Sequence, residues 1–150
     1  MEFIQVPYPP LTPRIRNANG SNEVFCIVRK KWLKASPEEW VRQNFLIYLN
    51  DTLGYPLSIM AVEKTIQVGE LKKRFDILVY NHNHQPKIII ECKAPAIKLD
   101  NFVMTQALNY YSVIQSEFVV ICNGPLALYF LRKENELILI DQLPAYIQNR

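Results

Sequence analysis

Pro86-Lys87-Ile88-Ile89-Ile90-Glu91-Cys92-Lys93 opens as the most apolar strand candidate in the chain and closes on an acid and a base. Three isoleucines in a row, without polar alternation, describe a strand covered on both faces. Strand alternation then puts Glu91 and Lys93 on one side and Cys92 on the other. Charged groups at the end of such a strand either cap the sheet or belong to a site.

Strand-like runs lie upstream at about Leu57–Lys64 and Arg74–Tyr80, joined through Val68-Gly69-Glu70. Asn81-His82-Asn83-His84 is the turn into Pro86–Cys92. Downstream, Asp100 to about Ser116 reads as a helix with Phe102, Val103, Gln106, Ala107, Tyr110 and Ile114 on one face. Phe118–Cys122 is another apolar strand, ended by Asn123-Gly124-Pro125. Leu126–Leu131 and Leu137–Ile140 form a hairpin around Lys133-Glu134-Asn135-Glu136.

Before the strands, Ser36-Pro37-Glu38-Glu39 starts a helix, with Ser as N-cap, Pro at the first helical position and Glu three residues after the cap. Trp40, Val41, Phe45, Tyr48, Leu49 and Leu53 recur at helical spacing, and Gly54 with Pro56 ends the element. The first thirteen residues, with Pro7, Pro9, Pro10 and Pro13, read as an extended arm. Asn17 to Asn22 is a turn cluster before the β-favouring Glu23–Val28, so an N-terminal hairpin is expected.

The core order is helix, three strands, helix, strand, with a hairpin appended. Short turns make the three middle strands an antiparallel meander, and Phe118–Cys122 rejoins it in parallel by a right-handed crossover. The expected class is α/β, a mixed sheet flanked by two helices. One domain covers 1–150: arm and hairpin at 1–35, core at 36–123, hairpin and tail at 124–150.

A hydrophobic fraction of 49% and a charged fraction of 21% are globular values. No apolar run approaches the roughly 18 to 20 residues of a membrane span. The N-terminus carries Glu2 where a signal peptide would be basic, so a cytoplasmic protein is expected, with no membrane partner. Cys26, Cys92 and Cys122 lie apart in apolar runs, which suits buried free thiols rather than disulfides or structural zinc. The net charge of +3 identifies no partner. Basic residues do cluster, at Arg14, Arg16, Arg29, Lys30, Lys31 and Lys34 and again at Lys72-Lys73-Arg74; such clusters neutralise phosphates or simply face solvent.

The meander places Asp76, near the start of its strand, beside Glu91 at the end of the next. Two converging carboxylates repel unless a cation or proton joins them. Hard oxygen donors suit Mg²⁺ or Mn²⁺, and Lys93 next to such an ion is placed to act on the attacking water of a hydrolysis.

Asp76 followed by Glu91-x-Lys93, on this element order, resembles the PD-(D/E)xK nuclease superfamily. More narrowly the chain resembles the N-terminal nuclease domain of type I restriction enzyme R subunits. The narrower likeness rests on Gln106-Ala107-Leu108-Asn109-Tyr110, a QxxxY motif on the helix after the ExK strand, and on Asn123-Gly124. It spans roughly residues 36 to 141. The resemblance implies a restriction-endonuclease-like core and a metal held by Asp76, Glu91 and the Cys92 carbonyl. It also implies that Lys93 is the catalytic lysine and that Glu39 reaches the metal directly or through water. Gln106 and Tyr110, four apart on one helical face, would line the site. DNA is the implied substrate, and other restriction-system subunits are possible partners. Phe75 stands where the superfamily nominally has proline, a loosely kept position. The chain carries no GxxxxGK(S/T), so no helicase motor is expected within it.

Structural alternatives accompany each of these residues. Asp76, Glu91 and Lys93 could form a salt-bridged sheet cap. Glu39 could complete the capping box with Ser36, and Glu63 is a competing acid. Gln106 and Tyr110 could be ordinary helix residues. His82 and His84 are expected as exposed turn residues, and Trp32 either stacks on a base or pins a hairpin to the core. The functional alternative is a catalytically silent DNA- or partner-binding module on the same fold.

Overall fold

A computed structural model describes residues 1–9 and 11–148. Strands β1 (Ile15–Ala18), β2 (Ser21–Cys26) and β3 (Lys31–Lys34) form an antiparallel sheet of their own. The expected hairpin is thus a three-stranded unit, because the chain turns again after Cys26 and pairs Phe25 with Trp32. The arm before it is docked rather than free: Val6 is buried with Val24 and Trp40, and Trp40 Nε1 donates to the Ile4 carbonyl at 2.7 Å. Pro10, counted above as part of that arm, lies outside the described residues.

Helix α1 (Pro37–Ile47) starts as its sequence dictates, with Ser36 Oγ accepting from the Glu39 N–H at 3.0 Å. It widens into a π-turn over Tyr48–Thr52 before the chain leaves the helix. Six strands follow in sheet order β4 (Met60–Val68), β5 (Leu71–Tyr80), β6 (Pro86–Cys92), β7 (Phe118–Cys122), β8 (Ala127–Lys133) and β9 (Glu136–Ile140). Only β6 and β7 run parallel, joined through α2 (Asn101–Tyr111). β4 and β5 meet in a longer ladder than the sequence suggests, turning at Gly69 where a left-handed φ of 60° is needed.

The sheet has a core on each face. Ile77, Val79, Ile88 and Ile90 pack toward Val41, Phe45, Leu46 and Leu49 of the α1 region. Leu78, Ile89, Val119 and Ile121 pack toward Tyr111 and Ile114. The isoleucine run of β6 is fully buried on both sides, and each such side chain contributes about 1.5–3 kcal/mol relative to exposure.

Helix α2 is shorter than the expected span and rotated about its axis. Its buried side carries Met104, Ala107, Leu108 and Tyr111, whereas Phe102 is 70% exposed. The apolar residues permit either stripe; packing against Phe75 and Ile89 selects the one containing Tyr111. The three cysteines are buried and free, and His82 and His84 are exposed in the β5–β6 turn. Among the described residues, no helix is long and apolar enough to cross a membrane.

Candidate active site

Asp76 sits where the regular ladder breaks. Val62 pairs with Ile77 and Lys64 with Phe75, but between them Glu63 adopts a left-handed φ of 52°. Phe75 and Ile77, two apart on one strand, consequently lie in different cores. This phase change frees the Asp76 carboxylate from strict alternation. Its Oδ2 accepts from the Cys92 backbone N–H at 2.8 Å, and its Oδ1 accepts from Arg42 Nη2 at 2.8 Å.

On β6 the pairing of Ile77 with Ile90 brings Glu91 to the position beside Asp76. Glu91 Oε1 accepts from Lys93 Nζ at 3.2 Å, and Oε2 accepts from the Tyr111 hydroxyl at 2.6 Å. Glu91 and Lys93 therefore share a face, as alternation requires. Lys73 of β5 donates to the Tyr111 hydroxyl at 3.2 Å and stands 3.8 Å from Glu91 Oε2.

These groups open onto a cleft of about 520 Å³ between the end of the sheet and α2. Glu91, Lys93, Gln106 and Tyr110 line it, together with Lys73 and Tyr111. Gln106 is exposed at the wall, and Tyr110 stacks on Lys73 with 3.9 Å from the ammonium to the ring centroid. Asp76 stands behind this wall, joined to it by the Cys92 N–H.

Behind the cleft lies a second network. Glu39 is not directed into the cleft: it accepts from Arg42, from Arg29 at 3.2 Å and from Gln43 at 2.8 Å. Glu63 pairs with Arg29 at 2.7 Å and with Arg42 at 3.4 Å. Arg42 is buried at the centre, joining Glu39, Glu63 and Asp76. The acid of the first helix that does line the cleft is Glu38.

The electrostatics follow these contacts. Burial pushes the Asp76 carboxyl up to about 6, reinforced by the Glu91 charge and opposed by the Cys92 N–H and Arg42. Burial works against the Arg42 cation, but Glu39 and Asp76 outweigh it, so its pKa rises. Burial lowers Lys73, with Glu91 pulling the other way. Burial and the Glu91 charge both raise Tyr111.

The donor set suits a hard divalent cation in kind, since Asp76 and Glu91 are carboxylates on neighbouring strand positions. It is sparse in number, since among the described residues no group of three His, Cys, Asp or Glu side chains is clustered for a metal. Both Asp76 oxygens already accept hydrogen bonds, from Arg42 and from the Cys92 N–H, so the two carboxylates fit such an ion in donor type and only with solvent supplying most of the shell. Arg42 and Tyr111 carry no sequence signal of a site role, and Arg29 and Lys73 show only as members of basic clusters. A basic residue within an amphipathic helix gives no sign of turning inward, and Tyr111 was hidden by its neighbour Tyr110.

Trp32 does not pin the small sheet to the core. Its ring lies 5.3 Å from that of Phe25 and under Arg16, whose guanidinium is 4.4 Å from the indole centroid.

No curated protein and no solved structure gives a significant match to the chain. The family model of the type I restriction enzyme R protein N terminus matches residues 37–144, from the first residue of α1 to beyond β9. The matched span contains Asp76, Glu91, Lys93, Gln106 and Tyr110, and it covers well over half of the sequence. By that match the chain belongs to the family of type I restriction enzyme R protein N-terminal domains.

Proposed function

We propose that this domain is a restriction-system deoxyribonuclease, a Mg²⁺- or Mn²⁺-dependent phosphodiesterase on a restriction-endonuclease-like core. Membership in the R-protein N-terminal family supports the restriction setting, and with it DNA as substrate, other restriction subunits as partners and a cytoplasmic location. The observation that carries the chemistry is that Glu91 and Lys93 line one cleft while Asp76, beside Glu91 in the register, stands directly behind its wall on the Cys92 N–H.

Asp76, Glu91 and the Cys92 carbonyl would hold the ion. When bound, such an ion stabilises charge on the phosphate and favours an ionised water. Lys93 orients that water from its place beside Glu91. The Cys92 N–H holds Asp76 Oδ2, so the acid keeps a fixed direction toward the strand end. Tyr111 does the same for Glu91. Gln106 and Tyr110 touch the substrate backbone across the cleft, and Glu39 acts through Arg42 rather than by itself.

Purified protein incubated with single- and double-stranded DNA in Mg²⁺ or Mn²⁺ should nick or degrade it, and Lys93→Ala should abolish the cleavage. Cleavage undiminished in Lys93→Ala removes the mechanism.

A second reading rests on Arg42. It is a fixed cation already paired to Asp76 and Glu39, an arrangement that also suits a domain that binds DNA or a partner subunit without cutting. Calorimetric titration with Mn²⁺ separates the two: heat of binding supports the nuclease, and DNA binding with no Mn²⁺ heat supports the silent module.

A further inference from the structure

Lys73 is a cation for which the cleft supplies rings more readily than charge. Its neighbours Lys72 and Arg74 on β5 are exposed, but its own side chain is only 19% accessible and turns toward α2. The ammonium lies 3.9 Å from the Tyr110 ring centroid, 4.6 Å from that of Tyr111 and 5.7 Å from that of Phe75. Rings attract a cation through their negative faces without neutralising it. Among the described residues its one carboxylate partner within 4 Å is Glu91, at 3.8 Å, and that carboxylate already serves Lys93 at 3.2 Å and Tyr111 at 2.6 Å. Glu38, the other acid lining the cleft, pairs with Arg42 at 3.3 Å.

Two ammonium groups thus share one carboxylate on the wall of an open cleft, and their charge is not balanced there. A half-buried, pre-positioned and under-neutralised lysine is what an incoming monoanion requires. Phosphodiester oxygens have that charge and accept from ammonium donors.

We propose that Lys73 is a DNA phosphate-binding residue of the cleft, additional to Lys93, and that Tyr110 is the positioning residue that holds it there through its ring. The proposal rests on the reading of this cleft as a DNA site, but not on cleavage or on metal. It also gives the tyrosine of QxxxY a task in this chain that its aromatic face performs. The hydroxyl is not needed for it.

The test is binding of a short double-stranded DNA in EDTA, followed by fluorescence anisotropy across a range of KCl concentrations. Lys73→Gln should weaken binding on the order of ten-fold. It should also lower the slope of log K against log salt by about 1, the signature of one lost phosphate contact. Lys73→Arg should keep the slope. Tyr110→Leu should weaken binding in the manner of Lys73→Gln, and Tyr110→Phe, which keeps the ring over Lys73, should weaken it far less.

An unchanged slope in Lys73→Gln, or Tyr110→Phe failing as badly as Tyr110→Leu, overturns the proposal. Should Lys73→Gln not fold, as circular dichroism would reveal, the Tyr110 pair decides alone. A parent protein that binds no DNA at low salt overturns this proposal, and one that also cleaves none in Mn²⁺ overturns the nuclease reading as well. Binding without cleavage in Mn²⁺ overturns only the latter.

Discussion

Arg42 Nη2 lies 2.8 Å from Asp76 Oδ1, so one of the two acids proposed to hold a metal is met by an arginine reaching from α1. The arginine side chain is 3% accessible, and it also pairs with Glu39 and Glu63. Removing one partner from a buried charged network leaves the others uncompensated, which costs more than the network ever contributed. Arg42 is thus both a structural keystone and a competitor for the charge that a divalent ion would use.

That double role has a measurable consequence. Arg42→Met should destabilise the metal-free protein by about 3–5 kcal/mol, read from urea denaturation in EDTA. Mn²⁺ should narrow the gap, because a variant freed of the competing Arg42 binds the ion more tightly, and an ion that binds only the folded state stabilises it by mass action, by about 2.7 kcal/mol at 100 times its Kd. If the gap between variant and parent is the same in Mn²⁺ as in EDTA, Asp76 takes no part in metal binding.

The raised pKa of Asp76 makes a prediction about pH. Burial, with Glu91 nearby, lifts the folded-state value from 3.8 to about 6. The folded protein therefore holds this proton more tightly than the unfolded chain does. The resulting stability is present in full below 3.8 and is lost as pH rises through about 6. In EDTA, the parent should lose stability relative to Asp76→Asn over that window and run parallel to it above. A constant difference between the two across the same pH range would place the Asp76 pKa at its ordinary value.

The rotation of α2 is testable by stability alone. Phe102, at 70% exposure, should tolerate Phe102→Ser within about 0.5 kcal/mol. Ile114, at 4% exposure beyond the end of the helix, should lose about 2–5 kcal/mol as Ile114→Ala. Chemical denaturation of the two variants reads both numbers. Comparable losses would return the helix to the orientation expected from its spacing.

Much of this was legible in the residues. The capping pattern at Ser36 located the start of α1 because a cap is a local arrangement of one side chain and one N–H. The isoleucine run of β6 announced a strand buried on both faces because burial leaves no reason for polar alternation. Short turns ordered the meander, and the order brought Glu91 next to Asp76. The buried face of α2 differs from the one its spacing suggests because the helix has apolar residues on two adjoining stripes, and only its neighbours choose between them. Trp32 allows two readings, and the structure sets it against Arg16 and Phe25 rather than in the core.

By itself, the sequence determined the kinds and order of the elements and the carboxylates and lysine that the meander carries to its rim, since caps, periodicities and turns act over a few residues. Tertiary structure decided which charges meet there. Arg42 reaches Asp76, Lys73 nests among aromatic rings, and Glu63 takes a left-handed conformation opposite Asp76. Such pairings depend on Coulomb forces and packing between segments far apart in the chain, and no local pattern records them.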